Sequence, residues 1–103
     1  MSCLEIVSVR IADTGDFTNA MHFCTAVLEP VNKGEPVVLK VYRNVDNGTD
    51  LSIHLYWVSD FQKQEKSSMG LHIARGLRDY GIVSHTLWVD QKGAVPGPAS
   101  RVP

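Results

Sequence analysis

In Ser52-Ile53-His54-Leu55-Tyr56-Trp57 an imidazole stands two residues from a phenol, the spacing that puts both side chains on one face of a β-strand. An imidazole titrates close to neutrality, so His54 beside Tyr56 is able to take a proton from a bound acid or to orient a ligand. His54 is therefore the candidate catalytic residue, set against the plainer alternative of a solvated, hydrogen-bonded strand histidine. His85 has two alternatives of its own: a structural group pointing into a helix-covered core, or a member of the opposite face. His22 and His72 read as helix-surface positions. The four histidines fall on separate elements, with no HxH, HxxxH or carboxylate-rich ligand set, so a metal site is not expected. There is no GxSxG, no P-loop and no GxGxxG after a strand, which removes the usual nucleophile elbow and phosphate cradles. The sequence names no cofactor and leaves open whether the protein is an enzyme.

The element that must position His54 is a β-hairpin over Val37 to Trp57, whose turn signal is Asp46-Asn47-Gly48. Side chains alternate faces, so its register decides what surrounds the imidazole. A two-residue loop would pair Lys40 with Leu55, placing a cation among the most apolar positions of the partner strand. A three-residue loop with Gly48 left-handed as a bulge instead pairs Val41 with Ile53, Leu39 with Leu55 and Val37 with Trp57. That register is the one expected. One face is then Val37, Leu39, Val41, Ile53, Leu55 and Trp57, and the other is Lys40, Tyr42, Ser52, His54 and Tyr56.

Before the hairpin, Leu4 to Ile11 reads as a strand with Val7, Val9 and Ile11 toward the core and Ile6, Ser8 and Arg10 opposite. Asp13-Thr14-Gly15-Asp16 starts a helix, along which Phe17, Ala20, Met21, Cys24, Val27 and Leu28 recur at helical spacing. That helix is expected to stop before Pro30. After the hairpin and a polar connection over Ser59 to Lys66, Ser67 or Ser68 caps a second helix with Met69, Ile73, Leu77 and Tyr80 as its buried stripe. Gly76 is expected to lie close against the sheet, and Gly81 to end the helix in a left-handed conformation. The last strand runs from Ile82 to Val89, with Val83/Leu87/Val89 and Ile82/Trp88 both eligible as the inward set.

The order β-α-β-β-α-β is that of a ferredoxin-like α+β plait, one four-stranded antiparallel sheet with two helices on one face. Two crossovers are expected to put the first and last strands in the centre and the hairpin strands outside. The 103 residues suit a single domain over residues 1–92, with a turn-rich tail over 93–103. An apolar fraction of 44% and a charged fraction of 20% are those of a globular chain. A net charge of −1 gives no basic footprint for nucleic acid, and no apolar run approaches a bilayer span. A cytoplasmic protein with reduced, structural Cys3 and Cys24 is expected.

The helix-free face is then where function must lie, carrying Arg10, Lys40, Tyr42, His54, Tyr56 and Trp88 as candidate ligand-binding residues. By element order and size, from about Leu4 to Val89, the chain resembles the dimeric α+β barrel group, to which antibiotic-biosynthesis-monooxygenase-like proteins belong. The resemblance is one of topology, with no motif that carries catalytic residues across. It implies a homodimer whose two sheets pack face to face, with pockets for small aromatic substrates or, in some members, haem. Tyr42, His54, Tyr56 and Trp88 would suit such a pocket. The RNA-recognition fold shares the order, but Ser52 to Trp57 lacks its basic-aromatic signature. Three functions follow as expectations. The first is a self-associating module that binds a small molecule on the helix-free face. The second is an oxygenase-like enzyme with a His/Tyr-lined pocket, and the third a protein-interaction scaffold without catalysis.

Overall fold

A computed structural model of the chain describes residues 3–31, 37–57 and 65–90. Its elements are β1 (Cys3–Ile11), a 3-10 turn (Thr14–Asp16), α1 (Phe17–Val31), β2 (Val37–Arg43), β3 (Asp50–Trp57), α2 (Ser68–Leu77) and β4 (Gly81–Val89). The four strands form one antiparallel sheet, and both helices pack on the same face of it. This is the α+β ferredoxin-like plait.

The hairpin has the expected register, with Val37 opposite Trp57, Leu39 opposite Leu55 and Val41 opposite Ile53. Its loop is different. The strands end at Arg43 and Asp50, and the connection is the six residues Asn44 to Thr49. Asn44 Oδ1 accepts from the Asp46 and Asn47 amides at 2.8 and 3.2 Å, and the Asp50 amide donates to the Asn47 carbonyl at 3.0 Å. Gly48 does not take the left-handed conformation expected of it. Side-chain turns made by the two asparagines replace the glycine bulge, and the register is unchanged because the same ladder simply ends earlier, at Arg43 opposite Leu51.

The strand order is β2-β3-β1-β4, so β1 and β3 are central and β4 is an edge. The expected placement of the last strand in the centre is thus corrected. The connection through α1 leaves one strand's width between β1 and β2. β3, tied to β2 by the hairpin, fills it, and α2 then carries the chain over β1 to the far edge.

Alternation along β1 buries Cys3, Glu5, Val7, Val9 and Ile11 under the helices. They meet Leu39 from β2, Leu51, Ile53 and Leu55 from β3, Ala20 and Cys24 from α1, and Ile73, Ala74 and Leu77 from α2. Each fully buried Leu or Ile side chain contributes about 1.5–3 kcal/mol. Cys3 and Cys24 are both buried, and burial pushes the Cys24 thiol up to about 11.

α1 runs through Pro30, past the stop assigned to it. A proline lacks only one backbone donor, and near a helix end that loss is tolerated. α2 is capped by Ser67, whose Oγ accepts from the Gly70 amide at 2.9 Å, and it ends at Leu77. Tyr80 therefore lies beyond the helix, in a turn closed by its amide on the Leu77 carbonyl at 2.9 Å. Gly76 faces Phe23 of α1 rather than the sheet, and Gly81 is not left-handed. Gly81 opens β4 directly against the Arg10 carbonyl, where any Cβ would collide with backbone. The tail over residues 93–103 and most of the connection before α2 lie outside the described residues.

Candidate functional site

The helix-free face is built in levels, each drawn from the register of all four strands. At one end Val38, Tyr56, Leu4 and Trp88 lie side by side. The next level is Lys40, His54, Ile6 and Thr86, and the third is Tyr42, Ser52, Ser8 and Ser84. Asp50, Arg10 and Ile82 make the fourth. Every one of the six expected ligand-binding residues is on this face. β4 presents Ile82, Ser84, Thr86 and Trp88 here and turns Val83, His85 and Leu87 toward the helices, which resolves the two alternatives for His85.

The central hydrogen-bonded group joins three levels. Tyr42 Oη lies 3.2 Å from Tyr56 Oη, His54 Nδ1 lies 3.3 Å from Tyr56 Oη, and His54 Nε2 lies 2.9 Å from Ser52 Oγ. The Tyr42 and His54 rings are 4.5 Å apart at their centroids. With a neutral imidazole the chain has two consistent proton arrangements. In one, Tyr42 donates to Tyr56, Tyr56 to Nδ1, and Nε2 to Ser52, leaving the Ser52 hydroxyl proton to spare. In the other every donor reverses, and the Tyr42 proton is spare. The free donor is thus the Ser52 hydroxyl or the Tyr42 phenol, carried by register-partner residues.

Burial holds the His54 imidazole below its usual titration range, so the neutral form that this chain needs is the one favoured near pH 7. The Tyr56 phenol is raised, chiefly by its hydrogen bond to Tyr42 and secondarily by burial. At the fourth level Arg10 Nε and Nη2 donate to the two oxygens of Asp50 at 2.9 and 3.1 Å. That bond holds the Asp50 carboxyl below its ordinary value and raises the Arg10 guanidinium.

Two hollows open along the face. One of about 490 Å³ is lined by Ser8, Arg10, Tyr42, Asp50, Ser52 and Ser84 among others. The other, of about 560 Å³, curls over the opposite end of the strands against Leu4, Tyr56, Trp57, Trp88 and Asp90. Apolar side chains stand uncovered around them, with Ile82 78% and Trp88 58% exposed.

A second polar cluster lies on the covered face, and the sequence reading missed it. Glu5 is fully buried, yet its carboxylate accepts four hydrogen bonds. Trp57 Nε1 and Ser67 Oγ approach Oε1 at 3.1 and 2.7 Å, and the Ser67 amide and His85 Nε2 approach Oε2 at 2.9 and 2.7 Å. The available signal was phase, because Glu5 alternates with Val7, Val9 and Ile11. Gly70 is small because Glu5 and His85 occupy the space that its Cβ would need. With these four donors on Glu5, this cluster seats the start of α2 on the sheet.

Among the described residues no group of three or more His, Cys, Asp or Glu side chains converges as a metal site. No described helix is long and apolar enough to cross a membrane.

No family model matches the chain, and no curated protein matches it. Solved structures do. A conserved protein from Methanosarcina mazei is 14% identical, with a TM-score of 0.66 over 85% of this chain and 91% of that one. A candidate antibiotic biosynthesis monooxygenase from Nitrosomonas europaea is 8% identical, with a TM-score of 0.65 over 89% and 92% of the two chains. A mutant of SnoaB, a cofactor-independent oxygenase from Streptomyces nogalater, is 13% identical, with a TM-score of 0.57 over 90% and 96%. At such identities the likeness is one of fold, and the topological resemblance to antibiotic-biosynthesis-monooxygenase-like proteins is what it establishes.

Proposed function

We propose that two copies of this chain stack their helix-free faces and hold a small molecule between them at Tyr42, His54 and Tyr56. The observation that carries the reading is the hydrogen-bonded set Tyr42–Tyr56–His54–Ser52, standing on a sheet face that no described element covers and ringed by Leu4, Ile6, Ile82 and Trp88. Four strands of up to nine residues give that face a footprint of about 19 by 30 Å. A corrugated footprint of that size is on the scale of the roughly 800 Å² per partner that a standard interface buries. The hollows on each face leave room for a ligand when two such faces meet. Arg10, Lys40 and Trp88 border the same space.

Light scattering behind a sizing column tests the assembly, with an expected mass of about twice 11.4 kDa that persists on dilution. Ile6→Lys, on a central strand of the face, is expected to give monomers with unchanged circular dichroism. A wild-type monomer at every concentration overturns the proposal.

The His54 hydrogen-bond chain favours one more specific reading, an oxygenase-like enzyme in which neutral His54 accepts the proton of a bound phenol or similar acid through the Tyr56 or Ser52 hydroxyl. It expects His54→Ala to abolish turnover while fold and dimer survive, and equal activity in that variant would remove His54 from the mechanism. The single-domain extent over residues 1–92 and a cytoplasmic setting are consistent with either reading.

A further inference from the structure

The charges around the hollow at the hairpin end of the open face do not balance. Of the side chains that line it, Arg10 and Arg43 are cationic and Asp50 alone is anionic. Arg10 turns one edge of its guanidinium, Nε and Nη2, to the two oxygens of Asp50. The edge between Nη1 and Nη2 keeps N–H groups that no described residue accepts, and the side chain is 65% exposed, so a solute reaches that edge from water. Two parallel N–H bonds from such an edge match the two oxygens of a carboxylate. Asp50 repels an incoming anion, but two carboxylates on adjacent edges of one guanidinium stand farther from each other than either stands from the cation, so attraction outweighs repulsion. Arg43 donates to the neutral Gly48 carbonyl at 2.9 Å and lies over the Phe17 ring at 4.5 Å, and no described carboxylate pairs with it. Its charge adds to the potential of the hollow uncancelled. Ser8 stands two residues before Arg10 on the same face of β1, and Ser84 is its register partner on β4. Both line the hollow, and among the described residues neither hydroxyl has a hydrogen-bond partner. The remaining wall is chiefly apolar and includes the exposed Ile82, which suits an organic body and disfavours a multiply charged, strongly hydrated one.

From this geometry we infer that the ligand of the open face is a small organic monocarboxylate, its carboxylate forked on the unused Nη edge of Arg10 beside Ser8 and Ser84. The inference rests on the reading of this face as the binding site. One excess positive charge around the hollow meets one negative charge on the ligand. Tyr42 and Ser52 line the same hollow, so an acid anchored at Arg10 has its body beside the two residues that end the His54 hydrogen-bond chain. Arg10 fixes which end of the ligand points to the fourth level of the face, and the chain through His54 offers the rest of it a neutral contact.

The test uses the full chain and three planar solutes of nearly one shape: benzoate, benzamide and benzamidine, which at pH 7 are an anion, a neutral molecule and a cation. Amide shift perturbation in NMR reads both affinity and location. Benzoate is expected to bind about tenfold or more tightly than either of the others, as a charged hydrogen-bonded fork requires, with the largest shifts at Ser8, Arg10 and Ser84. Arg10→Gln alters an exposed side chain and is expected to weaken benzoate about tenfold or more while leaving benzamide within about threefold, in a protein whose dispersed spectrum shows the fold intact. Benzamide or benzamidine binding the wild-type hollow as tightly as benzoate overturns the carboxylate and leaves the face as a binding site, and undiminished benzoate affinity in Arg10→Gln does the same. Inorganic phosphate binding more tightly than benzoate, with the same shifts, overturns it in favour of a phosphoryl group. Failure of every solute to bind a protein that light scattering shows to be dimeric overturns the carboxylate site and leaves the self-association standing.

Discussion

On the covered face of the sheet, Glu5 collects donors from Trp57, Ser67 and His85 with no exposure to water; on the open face, His54 links Tyr56 and Ser52 at the edge of solvent. Each cluster is built around a histidine, a hydroxyl and an aromatic residue, and they answer opposite demands. A buried carboxylate is tolerable only when its lone pairs are filled, and both oxygens of Glu5 are taken by protein donors out of reach of a ligand. The second has a donor to spare at Tyr42 or Ser52, because water or a ligand can take it. Complete satisfaction marks the cluster that holds the fold together. Incomplete satisfaction marks the one available for binding.

The comparison breaks most visibly at Glu5. Glu5→Ala removes the buried acceptor shared by Trp57 Nε1, the Ser67 amide and hydroxyl, and His85, and a loss of about 3–5 kcal/mol is expected in urea unfolding. A loss below about 1 kcal/mol would show that the cluster does not seat α2. Gly70→Ala comes next. Its methyl has no room beside Glu5 and His85, and a net loss of roughly 1–3 kcal/mol is expected despite the better helix propensity of alanine. Gly76→Ala is the control on the same helix, since the far edge of the Phe23 ring can swing away. Thermal unfolding should place it within about 1 kcal/mol of the parent.

The open cluster responds in the other sense. Tyr56→Phe removes the middle of the Tyr42–Tyr56–His54 chain, yet a stability change under about 1 kcal/mol is expected because water replaces the lost partner. The same variant should lose ligand affinity, and a large unfolding penalty with intact binding would reverse the two assignments. The smallest effect is that of pH on His54. Its folded pKa lies below the ordinary value, so the unfolded chain binds more protons in the window beneath about 6.5. Stability is full above that window and falls as pH drops through it. NMR titration of the His54 ring should give a midpoint below the ordinary histidine value of about 6.5, and His54→Gln should flatten the slope.

Much of the open face was readable from sequence because alternation along a strand is a local property. The even positions Ser8, Arg10, Lys40, Tyr42, Ser52, His54 and Tyr56 fall together once the hairpin register is set, and the mispairing of Lys40 with Leu55 excluded the competing register. The Glu5 cluster was not read, although Glu5 is in phase with the core. What makes a buried carboxylate acceptable is Ser67 and His85, 62 and 80 residues further on. Nor could β4 be oriented, since Val83/Leu87/Val89 and Ile82/Trp88 are both apolar enough to face inward; the partner waiting for His85 beneath α2 breaks the tie.

By itself the sequence determined the order of elements, the hairpin register and which side chains share a strand face, because these follow from periodicity, turn residues and the cost of burying a lone cation. Tertiary structure decided that β1 and β3 are central, that Glu5 and His85 meet, and that Gly70, Gly76 and Gly81 serve three different close approaches. Those outcomes depend on which distant groups fill one another's volume and hydrogen bonds, and no local pattern encodes that.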